Sequence, residues 1–150
     1  MLLLTGARKR EILDAKWEEV NFEKLYLRVP LSKSGKPRFI PLSQAVLSIL
    51  EKLPRWEGCP YVIPNPTTKK PFSSLYFSWD GARKRAGLPD VRMHDLRHSY
   101  ASNLVNAGTS IFVVSRALGH ATLKNTMRYS HLSQDTLLDA AEKAAQALGV

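Results

Sequence analysis

The stretch RMHDLRHSYASNLVNAG, residues 92–108, crowds His94, Asp95, Arg97 and His98 into five positions. Its spacing is helical. At about 100° per residue, Leu96, Tyr100, Ala101, Leu104 and Val105 share one broad apolar arc. Arg97 projects between Ala101 and Leu104, and His94 between Ala101 and Val105, so a basic pair is aimed at the interior. Burying a guanidinium without a partner is costly. Three arrangements resolve that cost. An internal Asp or Glu can meet Arg97. The pair can instead line a pocket for an external anion. Or His94 and His98, at i and i+4, can ligate a metal as in zinc-protease helices, with Asp95 where those have Glu. His120 or His131 would then be the third ligand that a catalytic zinc needs. The Asp-for-Glu exchange and the fixed charge of Arg97 beside the cation count against the metal.

Other reactive side chains are spread along the chain. TGARKREIL sets Arg8 near a helix start, and LSKSGKPRFIPL sets Lys33 on a turn. LGHATLKNTMRYSH sets His120 just past a glycine stop, with Tyr129 nine residues on. Singly, each has an ordinary structural role: solvated surface charges for Arg8 and Lys33, a helix cap for His120, a half-buried core phenol for Tyr129. ARKRAG adds Arg83, Lys84 and Arg85 as a helical basic cluster, which is either a solvated face or a DNA contact. Lys69 and Lys70 read as loop charges.

A chain of 150 residues fits one domain. At this size folding buries roughly 70% of the unfolded surface, enough for a real core. The 44% hydrophobic fraction is that of an ordinary soluble domain. Lysine and arginine outnumber acids 22 to 13, for a net charge of +9. The excess is uneven. Residues 130–150 carry one lysine against three acids, and residues 1–129 carry 21 basic residues against 10 acids. A basic body with a mildly acidic tail fits a polyanionic partner, nucleic acid foremost. The single cysteine, Cys59, forms no internal disulfide and fits a reducing compartment. In MLLLTGARKR the apolar run is too short for a secretory signal, and the charge follows it. No run approaches the ~20 apolar residues of a membrane span. These features predict a cytoplasmic protein with no membrane partner.

The spacing predicts the elements that must position these side chains. A first helix starts near Thr5, with Ile12, Leu13 and Ala15 inward. LYLRVP and PRFIPL alternate as strands and form a hairpin with Lys33 at or near its tip. SQAVLSILEKL is a helix with Ser43 as N-cap. Residues 54–71 hold five prolines and are mostly loop, with a short strand at YVI. Helices follow over SSLYFSWDGARKRAG, MHDLRHSYASNLVNAG and SIFVVSRALG, the last capped by Ser110 and stopped by Gly119. TLKNTMRY reads as a short helix capped by Thr122. SQDTLLDAAEKAAQALG is an amphipathic final helix with Leu137, Leu138, Ala141, Ala145 and Leu148 in a stripe. The predicted class is α+β, mainly α-helical, with a small antiparallel sheet.

Taken together, TGARKREIL, KSGKPRFIPL, HDLRHSYAS and LGHATLKNTMRYSH stand in the order found in tyrosine recombinases, and the chain resembles the catalytic domain of that phage integrase family over residues 2–132. WEEVNF after the first helix is similar too. The resemblance implies that Arg8 and Arg97 bind the non-bridging oxygens of a scissile DNA phosphate. It implies Tyr129 as nucleophile and Lys33 as general acid for the leaving 5′ oxygen. His94 would assist proton transfer, His120 would hydrogen-bond the phosphate, and Glu11 would buttress Arg8. It implies a metal-independent integrase without cofactor, acting on double-stranded DNA and associated with the nucleoid when bound. The segment after the tyrosine would dock into a neighbouring protomer of a tetramer. It also implies a domain, residues 1–150, truncated at its N-terminus, with the separate core-binding domain absent. The alternatives are a non-catalytic DNA-binding remnant or regulator of the same fold, a zinc-dependent hydrolase, and a type IB topoisomerase, whose tyrosine chemistry is shared but whose motif wording is less close.

Overall fold

The first helix, predicted to start near Thr5, starts only at Lys9 in the computed structural model, which describes residues 1–30, 37–133 and 136–149, and a separate short helix precedes it. Helix α1, Leu2–Thr5, ends where Gly6 turns left-handed at φ 60°. Helix α2 spans Lys9–Leu13, with Arg8 extended at its N-cap. Thr5 Oγ1 accepts the Ala7 N–H at 3.2 Å, and Glu11 Oε2 accepts the Arg8 N–H at 2.7 Å. Glycine takes the positive φ without the Cβ penalty, and the two side-chain bonds satisfy amides that the break exposes.

The chain divides into two units, Met1–Tyr100 and Ala101–Val150. In the first, strands β1 (Val20–Asn21), β2 (Tyr26–Val29) and β3 (Arg38–Pro41) form an antiparallel sheet in that order. The β2–β3 pair is the predicted hairpin; its tip, with Lys33, lies outside the described residues. Strand β1, within WEEVNF, has only two residues and too little alternation to be predicted. Leu27 and Val29 on β2 and Ile40 on β3 point to one face and are buried. On the other face Tyr26 and Phe39 meet edge to face at 4.9 Å. Helix α3, Gln44–Glu51, covers the buried face with Val46, Leu47 and Leu50. Ser43 holds its N-cap position, but its side chain makes no capping bond; its carbonyl accepts from Val46 and Leu47 instead. The YVI strand reduces to one isolated bridge, Lys16 with Tyr61; a second bridge, Pro64 with Pro71, lies just beyond it. Prolines lack the N–H that a longer ladder needs.

Helix α4 spans Tyr76–Arg85 and is followed by Gly87 at φ 71°. Helix α5 spans Asp95–Asn106, starting two residues later than the pattern predicts. In the second unit, α6 (Ile111–Leu118) is capped by Ser110, whose Oγ accepts the Val113 N–H, and stops at Gly119, φ 64°. The following segment is not an α-helix. It forms two 3-10 turns, Leu123–Asn125 and Met127–Ser133, which pack on α6, and Thr122 makes no side-chain cap. Helix α7 spans Thr136–Leu148. The architecture is mainly helical with one small antiparallel sheet, as predicted.

The sheet's two faces differ in what they support. Leu27→Ala should cost about 3 kcal/mol of stability through lost burial and a residual cavity. Phe39→Ala, on the exposed face, should cost about 1 kcal/mol, the value of an aromatic cross-strand pair. Urea unfolding midpoints of the two variants check the ranking; equal losses would contradict it.

Candidate active site

The buried face of α5 is narrower than its apolar arc. Arg97, Ala101 and Val105, spaced by four, are buried, with Arg97 only 5% exposed, whereas Leu96, Tyr100 and Leu104 are half-buried. Arg97 thus forms the N-terminal end of the inward stripe. Its Nη1 donates to the Gly6 carbonyl at 2.6 Å. A carbonyl accepts a hydrogen bond but carries no net charge, so this contact places the cation without neutralising it. Beside it lies a cavity of about 210 Å³ lined by Leu2, Ala7, Lys9, Met93, His94 and Arg97. Three of those six residues are basic side chains and none is acidic.

His94 departs from expectation. It sits in the turn ahead of α5, exposed, rather than on the helix facing inward. Its carbonyl accepts the Arg97 N–H at 3.1 Å, and its ring meets His98 edge to face at 4.8 Å. The late helix start explains the shift. Asp95 Oδ2 accepts the Arg92 N–H at 2.8 Å, and its carboxylate also pairs with the Arg92 guanidinium at 2.9 Å. Those bonds to the Arg92 side chain first, and to its N–H next, hold the Asp95 pKa down at about 2. The anion also sits favourably at a helix N-terminus.

Arg8 and Glu11 do meet. Arg8 Nη1 donates to Glu11 Oε1 at 2.9 Å, and the acid is nearly buried. Arg8 lines a second, larger hollow of about 430 Å³ with Arg10, Glu11, Asp14, Lys16 and Arg28 among its walls. The two arginines of the motif set are therefore tied to one short stretch, Gly6–Arg8, yet open on different hollows. Arg38 Nε approaches the same Glu11 oxygen at 3.5 Å.

The cluster at the end of α4 is partly committed. Asp80 pairs with Lys84 and with Arg83, both at 2.7 Å, and the Lys84 contact, then Arg83, lowers the Asp80 pKa. Arg83 also reaches the Val91 carbonyl at 3.5 Å. Lys84 and Arg85 are the exposed members.

The second unit holds His120 and Tyr129. Gly119 and His120 close α6: their N–H groups donate to Arg116 and Ser115 at 3.0 and 3.1 Å. That double bond pattern is a Schellman stop, and it fixes the His120 backbone. Its Nδ1 lies 2.7 Å from Thr126 Oγ1, and Thr126 is fully buried. Tyr129, 6% exposed, follows in the second 3-10 turn, where its N–H donates to the Thr126 carbonyl at 3.0 Å. Thr126 thus serves both residues, one by its side chain and one by its backbone.

Sequence reasoning missed Thr126, Arg92 and Arg38. Arg38 carried a readable signal, because strand period puts it on the buried face of Ile40. Among the described residues, no three His, Cys, Asp or Glu side chains gather as a metal group, and no helix is long and apolar enough to cross a membrane.

Comparison with known proteins adds to this geometry. The family model described as Phage integrase family matches residues 1–136. The chain is 36% identical to tyrosine recombinase XerA of Pyrococcus horikoshii, over 96% of this chain and 53% of that protein. The catalytic domain of bacteriophage HP1 integrase superposes with TM-score 0.71 at 28% identity, covering 97% of this chain and 79% of that one. XerH recombinase bound to its difH substrate superposes with TM-score 0.72 at 25% identity, over 93% and 43%. The chain spans about half the length of the curated relatives it matches.

Asp95 links α5 to pH. Its carboxyl is ordinary at 3.8 when unfolded and about 2 when folded. Its contribution is therefore fully present above about pH 4 and is lost as pH falls through 2. Wild type and Asp95→Asn should differ in unfolding midpoint by a constant amount from pH 6 to 4 and converge toward pH 2. A difference independent of pH would show that the charge is not what counts.

Proposed function

Since the chain belongs to the phage integrase family, we propose that residues 1–150 are the catalytic domain of a site-specific recombinase. It cuts and rejoins double-stranded DNA through a 3′-phosphotyrosine intermediate. The observation that carries the reading is the buried Arg97, placed by an uncharged carbonyl beside a hollow lined by Lys9 and His94. That hollow suits a phosphate.

The chemistry accounts for each residue type. A phosphodiester anion repels nucleophiles. Arg97 and Arg8 neutralise it by charge-assisted, bidentate hydrogen bonds that strengthen as charge builds in the transition state. Tyr129 oxygen attacks phosphorus and the bond to the 5′ oxygen breaks. The phenol proton leaves toward His94, and Lys33 protonates the departing 5′ oxygen. Free tyrosine titrates near 10, so ionising it at pH 7 costs ~4 kcal/mol, which a cationic site offsets. In rejoining, a 5′ hydroxyl attacks the phosphotyrosine and the phenol leaves. The covalent link conserves the phosphodiester energy, so no ATP is used. The two guanidinium groups supply the positive charge, so the step calls for no metal.

His120 donates to the phosphate from Nε2. The contact with Thr126 is compatible with that tautomer: when the hydroxyl donates to Nδ1, the ring proton lies on Nε2. Glu11 buttresses Arg8. Lys84 and Arg85 are the outlying candidates for DNA contact, with Arg83 mainly structural. Helix α7 docks on a neighbouring protomer of a tetramer, a role supported by its exposed apolar side chains, Leu148 being 80% exposed.

The test is a denaturing gel for a covalent protein–DNA band, using nicked trapping substrates drawn from a mixed genomic pool, with EDTA present. An N-terminally extended chain runs alongside. Wild type should form an EDTA-resistant adduct that Tyr129→Phe abolishes. Arg97→Ala should lower its rate by about 10²–10³. DNA binding without adduct in either chain would favour the non-catalytic regulator.

A further inference from the structure

Strand β3 carries a cation on its inward face. Arg38 pairs in register with Val29 and shares a face with Ile40, both buried, and its own side chain is only 11% exposed. There its Nε lies 3.5 Å from Glu11 Oε1, the oxygen that accepts from Arg8 Nη1 at 2.9 Å. Among the described residues, these two guanidinium groups are the cations that meet this carboxylate. Burial lowers the Arg38 pKa, the Glu11 charge opposes that shift, and the Arg8 charge adds to it. A long apolar side chain would avoid this desolvation cost, so the position calls for a reason to be cationic.

Charge balance supplies one. Arg8 with Glu11 alone is a neutral pair. With Arg38 the trio carries +1. An anion approaching Arg8 meets the charge of the whole trio, because the members lie well within a Debye length of ~8 Å and are partly shielded from solvent. We propose that Arg38 is a positioning residue for phosphate binding: by sharing Glu11, it leaves Arg8 anchored yet still net cationic toward the DNA phosphate. This rests on the phosphate-binding reading of Arg8. It adds a residue outside the motif set and assigns it a charge role rather than a packing role.

Dimethyl phosphate, a phosphodiester monoanion, is the probe. It is titrated into the ¹⁵N-labelled chain, with the Nε–Hε resonances of Arg8 and Arg97 as readout and a thermal melt to confirm folding. Wild type should show a saturable shift at both. Arg38→Met should weaken binding at Arg8 about tenfold, the scale expected for loss of one nearby charge. Adding Glu11→Gln to Arg38→Met returns the local charge to +1 and should recover most of that loss, which a packing role would not predict. Arg38→Lys keeps the charge and should stay near wild type. If Arg38→Met fails to fold, Arg38→Gln carries the same comparison. Wild-type affinity in Arg38→Met, or a loss that Glu11→Gln does not restore, overturns the role of Arg38 and leaves the phosphate reading standing. No Arg8 response in wild type overturns the phosphate reading, and the Arg38 role with it.

Discussion

A buried guanidinium must be held by something, and in this chain a backbone carbonyl holds it. The bond from Arg97 to Gly6 joins residues 91 apart in sequence. It also explains why the N-terminal helix is broken. In an unbroken helix the Gly6 carbonyl would accept the N–H four residues on, at Arg10. Ending α1 at a left-handed Gly6 releases that carbonyl for Arg97 and leaves Arg8 extended at the start of α2. One local conformation therefore aims both motif arginines. The carbonyl is also the right kind of anchor for an anion site, since a carboxylate there would compete with the phosphate for the same cation.

Four acids of the first unit act as local clamps. Glu11 holds Arg8 and Arg38, Asp14 holds Arg10, Asp80 holds Arg83 and Lys84, and Asp95 holds Arg92. Most of these pairs are three or four residues apart. Exposed pairs of this sort contribute little stability, but each fixes where a basic side chain points. The acids are outnumbered, so clamping leaves most of the positive excess of residues 1–129 in place. Orientation and net charge are set by different residues, which lets a basic surface be ordered without being neutralised.

The candidate site residues were legible as a set because they are written in motifs whose spacing survives without coordinates. The inward aim of Arg97 followed from helical period alone. Other features depend on events that periodicity does not encode. A glycine inside a helical pattern is tolerated often enough that the break at Gly6 could not be read from TGARKREIL. The start of α5 goes with the Arg92–Asp95 clamp, a side-chain arrangement that periodicity does not encode, and His94 therefore lies ahead of the helix. The segment after Thr122 has helical composition but winds as 3-10 turns, which leave Thr126 buried between His120 and Tyr129 in sequence. Arg38 is readable from strand period, which sets it on the face of Ile40, but its ion pair with Glu11 joins residues far apart in sequence and leaves no local signal. Lys33 lies outside the described residues.

The separate hollows of Arg8 and Arg97 bear on how one phosphate could engage both. Arg8 is turned toward Glu11, so grasping a phosphate beside Arg97 means loosening that bond. If Arg8 were the sole cation on Glu11, its departure would strand a nearly buried carboxylate, a change that costs several kcal/mol. With Arg38 on the same oxygen, Glu11 keeps a partner whichever way Arg8 points. On the proposed reading, Glu11 would hold Arg8 in the free chain and keep Arg38 as a partner when Arg8 turns to a phosphate. On that reading, a second cation behind the buttress would keep the site attractive to an anion and would spare Glu11 the loss of its only charge partner when Arg8 engages a phosphate.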